Sequence, residues 1–507
     1  MGINVCVCMA DSIMIKDINM KSLFFIFLSM FMLCGCKDAA SENKPQGGDE
    51  VNLPRKEIRG VWVATVDRMD WPRNTADAEA QKQEFIEYLE LFKQYNANAV
   101  VMQVRPMADA FYDSPYEPWS QYITGTQGKN PGYDVLKFMI EETHKRGMEF
   151  HAWLNPYRIS NNVNTFRPAE GHIYNKHPEW TMTYDKLLIF RPALPEVRQF
   201  LVDVIDDLIS KYDVDGIHFD DYFYPYPKSG VELDDLQDFM KYGKGFDNID
   251  DFRRDNVNKA IEAVHNLIVG KRPDVVFSVS PYGVWRNRTD DPDGSDSSSS
   301  LTNYDDLYAD IRLWCEKGWI DMVVPQLYAS TENIAMNFIK MADWWANNSF
   351  ECPVVIGHGL YKFGNPAEGE IFMNPVQLET QFFHARRESN IDGSFLFNAS
   401  VFKDNKIGIL SSLQKCYPSK ALIPFMGRET EPAPEEIGNI SVSGRTMAWQ
   451  KQEGMRYVVY KISGNDALIE EVVNSGTYTC PEGGRYAVTA LNGDNTESAM
   501  SPIVDIK

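Results

Sequence analysis

The sequence predicts a (β/α)8 barrel followed by a small all-β sandwich, and three observations support this fold class. Eight apolar, β-rich runs alternate with eight amphipathic segments between residues 57 and 417, an order typical of parallel strands joined by helices. The first strand is not followed by the glycine-rich phosphate turn that an open doubly wound sheet normally carries. Residues 437–507 then change to short β-like runs rich in Gly, Asn and Ser.

The elements of the barrel are predicted in order from these runs. Strands are expected at 58–66, 98–105, 148–155, 214–221, 275–282, 321–328, 353–360 and 393–399. Helices are expected near 79–95, 133–147, 195–212, 249–269, 304–318, 333–347, 375–389 and 404–416. In the segment 195–212, a proline in the first turn and apolar residues at three- and four-residue spacing indicate an amphipathic helix.

The N-terminal 36 residues are predicted to be a lipoprotein signal peptide. Residues 23–32 are almost wholly apolar, and Leu33-Cys34-Gly35-Cys36 resembles a bacterial lipobox in which Cys36 carries the lipid. Residues 1–19 lack signal-peptide character, so Met20 is the expected start. We therefore expect a protein of the cell envelope, anchored by lipid to a bacterial membrane on its periplasmic or surface face.

Two polar segments are predicted to connect the folded parts. Residues 37–56 have the composition of a flexible tether, and residues 418–436 contain several prolines and a Glu cluster that indicate a linker. The last segment, 437–507, resembles a fibronectin type III-like domain, and we expect it to serve packing or spacing. Its predicted core strands B, C and F are marked by Trp449, residues 457–460 and residues 486–492.

Composition excludes several classes of function. The formal net charge of −22 argues against nucleic-acid binding, which needs a basic face. The cysteines after Cys36 are far apart and have no zinc-ligand spacing, although a bridge between Cys315 and Cys352 stays open. We expect no cofactor and no metal, and a protein that acts as a monomer.

The stretch 214–225 carries the strongest catalytic signal. Side chains alternate along a strand, so His218, Asp220 and Tyr222 share the face opposite Ile217 and Phe219. Three polar groups on one face are unfavourable to bury for packing alone, and barrel enzymes work at this end of their strands. Asp220 is therefore the predicted principal catalytic carboxylate.

Two further carboxylates are candidates for its partner. Asp221 would point outward from a straight strand, but a bend at the strand end brings it in. A carboxylate beside another has a raised pKa, which suits a general acid. Asp109 follows the second strand and is the other candidate.

The ends of the other strands carry amide, imidazole, guanidinium and aromatic groups, the mixture that a sugar-binding cavity requires. For His151 or His358 taken alone, a buried structural role is the more common outcome, and the prediction rests on their joint occurrence. The predicted substrate-binding residues are Arg105, His151, Asn155, Tyr157, His218, Tyr222, Tyr282, Trp285, Gln326, Tyr328, His358 and Asn398.

Seven sequence blocks occur in order along the barrel region. They are Arg59-Gly60-Val61-Trp62 with Asp70-Trp71-Pro72, Gln103-Val104-Arg105-Pro106 with Asp109-Ala110-Phe111-Tyr112, Glu117-Pro118-Trp119-Ser120, Leu154-Asn155-Pro156-Tyr157-Arg158, residues 215–222, residues 280–286 and Pro325-Gln326-Leu327-Tyr328. Together they resemble the glycosyl hydrolase-like 10 family of bacterial lipoproteins, over residues 57–417. The resemblance implies a (β/α)8 barrel and glycan hydrolysis, and some relatives are linked to the glycan strands of peptidoglycan.

The expected function is cleavage of O-glycosidic bonds in a complex or amino-sugar-containing glycan. A family 10 xylanase would place Glu at the ends of strands four and seven, whereas this chain has Asp220-Asp221 and His358-Gly359, which excludes a simple xylanase mechanism. Two alternatives stay open: a catalytically inert, glycan-binding surface lipoprotein and a metal-dependent deacetylase.

Overall fold

A computed structural model describes residues 51–74, 77–427 and 431–507 of the chain. Eight parallel strands form a closed barrel in which each strand pairs with its neighbours in sequence and the eighth pairs with the first, as the sequence predicts. The strands are β1 Ile58–Val63, β2 Ala99–Arg105, β3 Glu149–Leu154, β4 Gly216–Phe219, β5 Val276–Val279, β6 Met322–Val323, β7 Val354–Gly359 and β8 Ile391–Phe397.

One principal helix follows each strand: α1 Ala78–Gln94, α2 Val135–His144, α3 Pro195–Lys211, α4 Ile249–Lys271, α5 Ile311–Glu316, α6 Phe338–Asn348, α7 Val376–Ala385 and α8 Ile409–Cys416. Helix α1 begins after Asp77, whose carboxylate accepts hydrogen bonds from the free N–H groups of Glu79 and Ala80. Short helices also occur in the loops at Gln121–Thr124, Ile173–Lys176, Leu236–Tyr242, Asn303–Asp306 and Val401–Asp404. Single 3-10 turns lie at Val66–Arg68, Pro178–Trp180, Leu360–Lys362, Pro366–Glu368, Glu370–Met373 and Lys406–Gly408.

Strand β6 is much shorter than the predicted run 321–328. Pro325 has no N–H to donate and interrupts the ladder. Gln326 nevertheless keeps isolated bridges to Tyr282 and Gly357. The chain therefore stays in register past the end of the strand, and this holds Gln326 at the carboxyl edge of the barrel.

A small antiparallel sheet in the connection from β3 to β4 is absent from the sequence-based prediction. It consists of Arg158–Ser160, Thr181–Tyr184 and Leu187–Phe190, with the last of these in the centre. This sheet begins four residues after β3, so its first residue, Arg158, stands beside the carboxyl ends of β3 and β4.

The barrel interior is filled mainly by apolar side chains, with His151 and His218 among them, and it is closed at its amino-terminal end by the segment after α8. Ile423 and Met426 join the interior cluster formed by residues such as Ile58 and Phe395, and the Leu422 carbonyl accepts a hydrogen bond from the Glu57 N–H at 2.9 Å. The first part of the predicted linker 418–436 is thus packed against the barrel.

The C-terminal segment forms two antiparallel sheets. Its strands are β9 Ser441–Ser443, β10 Thr446–Ala448, β11 Arg456–Ser463, β12 Asp466–Val473, β13 Thr477–Thr479, β14 Gly484–Leu491 and β15 Val504–Ile506. The sheet orders are β9-β10-β13 and β12-β11-β14-β15, and Trp449, Tyr457 and Tyr486 lie in the core of this segment. These sheets are compatible with a fibronectin type III-like domain, and that assignment stays a prediction.

The C-terminal sheets pack on the amino-terminal face of the barrel. The Asn495 side chain donates to the Glu149 carboxylate at 3.2 Å, and Lys56 lies 3.4 Å from Glu497. Glu149 is the first residue of β3, so this contact lies at the end of the barrel opposite the carboxyl ends of the strands.

The predicted signal peptide, Cys36 and residues 37–50 of the predicted tether lie outside the described residues. Within the described ranges no helix combines the length and the apolar character that a membrane crossing requires. The cysteines in those ranges are buried free thiols, and Cys352 contacts Cys315 through a hydrogen bond.

Candidate active site

A cavity of about 540 Å³ opens at the carboxyl ends of the barrel strands. Asp220 and Asp221 follow β4 directly and both reach the cavity, so the chain bends after β4 as expected. The residues that line the cavity are Trp62, Met69, Trp153, Asp220, Asp221, Tyr222, Tyr226, Ser280, Tyr282, Gln326, Tyr328, Ala329, Asn333, Met336, Tyr361, Lys362 and Phe397.

Asp220 is held by N–H donors from the end of β3. Trp153 Nε1 donates to Asp220 Oδ2 at 3.0 Å, and Asn155 Nδ2 lies 3.1 and 3.2 Å from the two carboxylate oxygens. The Tyr222 N–H adds a longer contact of 3.4 Å to Oδ1. Because every one of these neighbours is a donor, the surroundings of Asp220 suit the ionised carboxylate.

Burial raises the pKa of Asp220 to about 6; the nearby Arg158 guanidinium opposes this rise, and the charge of Asp221 adds to it. Asp220 is therefore charged at neutral pH and becomes protonated in mildly acidic solution.

Asp221 has a different set of partners. The Tyr226 hydroxyl donates to Asp221 Oδ2, and the Gln326 side chain also bonds to this carboxylate. Burial raises the pKa of Asp221, while the hydrogen bond from Tyr226 opposes the rise. A hydroxyl can donate or accept a hydrogen bond, so this environment tolerates both the charged and the protonated form of Asp221.

A buried ion pair behind the cavity holds Asn155 in place. Arg105 donates to both oxygens of Glu117 at 3.0 and 2.8 Å and also to the carbonyl of Asn155. Both charged side chains are 0% exposed. The Asn155 Oδ1 accepts the Arg158 N–H at 2.8 Å, so its amide nitrogen must face Asp220.

The mouth of the cavity carries a cation and two tyrosine rings. The Arg158 guanidinium lies 4.0 Å from the centre of the Tyr222 ring, and the Tyr222 and Tyr226 rings stack with centres 5.6 Å apart. A flat, half-exposed tyrosine pair is suited to pack against the apolar face of a sugar.

The opposite wall is also aromatic. Tyr328 stacks on Phe397 with ring centres 5.9 Å apart, and Tyr361 contacts both rings edge-on. Tyr282, whose hydroxyl bonds to Ser299 at 3.2 Å, and Gln326 add hydrogen-bonding groups. The predicted binding residues Tyr222, Tyr282, Gln326 and Tyr328 therefore all line the cavity.

His218 lies inside the barrel, on the same face as Asp220 and two residues earlier in the chain. Trp62 Nε1 donates to His218 Nε2 at 3.1 Å, so that nitrogen is unprotonated and Nδ1 donates to Ser278 Oγ at 2.8 Å. Burial lowers the pKa of His218 well below its usual range. His218 is thus a neutral support for Trp62.

Eight predicted binding residues do not line the cavity. Two of them are His218 and Asn155, and Asn155 still reaches Asp220 through its side chain. Of the other six, His151 and Arg105 lie inside or beside the barrel wall. His151 points into the barrel interior against Gly216, where a β-carbon would lie 2.2 Å from its ring nitrogen. Arg105 is enclosed by Glu117. Both are fully buried, so neither is available to a substrate.

His358 and Trp285 face outward from the barrel, into the layer beneath the helices. His358 stacks on Phe382 of α7 with ring centres 4.6 Å apart, because the alternation of β7 points Gly357 and Gly359 inward instead. Trp285 stacks on Trp344 of α6 at 6.0 Å.

Tyr157 and Asn398 complete the group outside the cavity. The Tyr157 hydroxyl is buried and has no hydrogen-bond partner, and Asn398 is 5% exposed and bonds to Ser400.

Asp109, the other predicted catalytic carboxylate, also lies outside the cavity. It accepts a hydrogen bond from Gln127 at 3.1 Å, and burial raises its pKa to about 6. Asp109 therefore resembles Asp220 in burial and pKa, but it does not line the cavity.

Several cavity residues were not among those predicted from the sequence, namely Trp62, Met69, Trp153, Tyr226, Ser280, Ala329, Asn333, Met336, Tyr361, Lys362 and Phe397. Trp62 and Trp153 could have been predicted from the sequence, because alternation places each on the inner face near the end of its strand. Arg158, beside the cavity mouth, was also missed because its position depends on the unpredicted small sheet.

One cluster in the described residues has metal-ligand geometry. Asp343, His384 and Glu388 lie on the outer helical layer, with ligand atoms within 4.8 Å of one another. None of its members lines the barrel cavity.

Residues 57–371 match the sequence profile described as Glycosyl hydrolase-like 10. The chain belongs to the glycosyl hydrolase-like 10 family. This confirms the resemblance, and the matched residues contain strands β1 to β7. The chain is 43% identical over 426 residues to Glycosyl hydrolase YngK of Bacillus subtilis (81% of this chain, 83% of the relative). It is 37% identical over 380 residues to Glycosyl hydrolase DigH of Escherichia coli K12 (70% and 86%).

Among solved structures, the glycoside hydrolase domain of PgaB (BpsB) from Bordetella bronchiseptica aligns with a TM-score of 0.48 and 12% identity, over 72% of this chain and 99% of that one.

Proposed function

We propose that this protein is a glycoside hydrolase that cleaves O-glycosidic bonds in an amino-sugar-containing glycan. The observation that carries the proposal is the Asp220–Asp221 pair at the base of an aromatic-walled cavity. Glycoside cleavage needs a proton donor for the leaving oxygen and a negative group that stabilises the positive charge developing on the sugar.

The two carboxylates are suited to different parts of this reaction. Asp220 accepts three N–H donors and is built to remain ionised, so it stabilises positive charge. Asp221 accepts hydrogen bonds from the Tyr226 hydroxyl, the Gln326 side chain and its own backbone N–H, and we assign it the role of proton donor. Tyr222 and Tyr226 on one side and Tyr328 and Phe397 on the other bind the sugar rings through their flat faces.

The glycan strands of peptidoglycan are the substrate we propose. Family membership supports a carbohydrate substrate, and the predicted lipid attachment at Cys36 would keep the enzyme in the cell envelope beside that polymer. Peptidoglycan strands are built of 2-acetamido sugars, so they meet the requirement for an amino-sugar-containing glycan.

A second candidate is a glycan-binding protein without catalysis. It is favoured by β7, whose inner-face positions at the carboxyl end are the glycines Gly357 and Gly359, where many barrel glycosidases place a carboxylate. The two candidates differ in product release and not in binding.

The test is saccharide release from a glycan panel that includes denuded peptidoglycan strands, using the detergent-purified chain beside Asp220→Asn and Asp109→Asn. Asp109 is the matched control because it is equally buried and has a similar pKa but lies outside the cavity. Release by the wild type and by Asp109→Asn, with loss of at least about 100-fold in Asp220→Asn, supports hydrolysis at this pair. Binding without release by any of the three proteins identifies the non-catalytic function.

A further inference from the structure

The cavity carries its carboxylates on one edge only. Asp220 and Asp221 are consecutive residues at the end of β4. In the described ranges they are the only carboxylates among the residues that line the cavity. The walls across from them are formed by Tyr328, Phe397 and Tyr361, which have no acidic group.

This arrangement limits the mechanism. A glycosidase that uses two carboxylates on opposite faces of the sugar needs them about 5–5.5 Å apart for a covalent intermediate or about 6.5–9.5 Å apart to activate water. Asp220 and Asp221 both enter the cavity from the end of β4, so they reach a bound ring from the same side, and one of this pair is needed as the proton donor. The nucleophile must therefore come from elsewhere.

We propose that the substrate supplies it, through the carbonyl oxygen of a 2-acetamido group on the sugar whose bond is cleaved. This inference rests on the proposed function. In the first step the acetamido oxygen bonds to C1, the bond from C1 to the leaving oxygen breaks, and Asp221 transfers its proton to that oxygen. The product is a bicyclic oxazolinium ion, whose positive charge and N–H face the ionised Asp220.

In the second step water attacks C1, the bond from C1 to the acetamido oxygen breaks, and Asp221 takes up a proton from the water. The acetamido group is restored and the configuration at C1 is retained, because C1 has been inverted twice.

The surroundings of Asp220 fit an acetamido group. A carboxylate offers about four acceptor positions, and Trp153, Asn155 and Tyr222 occupy three of them, so one remains for the acetamido N–H. Trp62 and Trp153 also line the cavity, and Trp153 reaches Asp220 through its indole N–H, so these two rings offer apolar surface to the acetamido methyl.

The substrate dependence of the reaction tests the proposal directly. Denuded peptidoglycan strands are used in three matched forms: native, chemically N-deacetylated, and deacetylated then re-N-acetylated. We expect kcat to fall by at least about 1,000-fold on deacetylation, since an intramolecular nucleophile is lost, and to recover on re-acetylation. The first product should retain its anomeric configuration by NMR, and the thiazoline of N-acetylglucosamine should inhibit competitively.

Two other results would overturn the proposal while leaving the proposed function intact. The first is inversion at C1, and the second is equal kcat on native and deacetylated strands. A failure to release saccharide from any glycan would instead remove the proposed function and this inference with it.

A variant gives an independent check for an overlooked carboxylate. Glu332 lies in the exposed loop after β6, next to the cavity residue Asn333, and does not line the cavity. Glu332→Gln should keep kcat within about twofold of the wild type, as surface changes usually do little. A loss as large as that of Asp220→Asn would show that a carboxylate acts from the far side and would refute the inference.

Discussion

Replacing Asn155 by alanine should move the acidic limb of the pH–activity profile upward. Asn155 Nδ2 is the donor that reaches both oxygens of Asp220, at 3.1 and 3.2 Å. Its removal takes away a hydrogen bond that stabilises the ionised form of Asp220 more than the protonated form. The pKa of this group is raised to about 6 in the native protein, and the substitution should raise it further.

The size of the shift follows from the strength of this bond. A hydrogen bond to a charged group contributes about 1.5–3 kcal/mol, and one pKa unit corresponds to about 1.36 kcal/mol. The pKa of Asp220 should therefore rise by about 1–2 units, to about 7–8. Activity that requires ionised Asp220 should then be largely lost at pH 6 and should return as the pH rises, up to the pH at which the proton donor Asp221 itself ionises.

The assay is kcat/KM for glycan cleavage between pH 4 and pH 9, with Tyr157→Phe as a control. The Tyr157 hydroxyl is buried without a partner and lies outside the cavity, so its removal should leave the profile in place. An Asn155→Ala profile with an unmoved acidic limb, reduced by one constant factor at every pH, would refute the proposed role of Asn155 in tuning Asp220.

Three further predictions use other contacts. Arg158→Gln removes a cation that lowers the pKa of both Asp220 and Asp221, so the acidic limb should again move to higher pH; an unchanged limb would contradict this. Glu117→Gln leaves the buried Arg105 charge uncompensated and should lower the free energy of unfolding by about 3–5 kcal/mol, measured in urea, whereas Glu79→Gln in an exposed pair should change it by less than about 1 kcal/mol. Trp285→Ala should destabilise the fold by about 3–5 kcal/mol with KM unchanged, while Tyr328→Ala should raise KM by about 2- to 12-fold; the reverse pattern would place Trp285 in the site.

The barrel and the position of Asp220 could be predicted because both follow from periodicity. Alternating apolar and amphipathic runs specify strands and helices, and alternation along β4 places His218 and Asp220 on the inner face. The same parity, applied to β7, would have turned His358 outward, since Gly357 and Gly359 occupy the inner positions.

Other site features depend on contacts between distant segments. Arg105 stands at the end of a strand and has a side chain that often binds ligands, but it is buried in an ion pair with Glu117 from the following loop. Arg158 reaches Tyr222 because a small sheet forms within a long connection. The order of residues within one segment does not show which distant residues will pair, so the contacts of Arg105 and Arg158 could be found only in the folded structure.

The packing of Ile423 and Met426 into the amino-terminal end of the barrel has a consequence for dissecting the protein. A truncation after Tyr417, the predicted end of the barrel, would leave the apolar underside of the strands open to solvent and prone to aggregation. A catalytic fragment should instead end beyond Met426. During synthesis, the amino-terminal end of the barrel stays uncovered until the ribosome has made this segment. The last step in burying the barrel interior therefore depends on residues that the sequence predicts to be a linker.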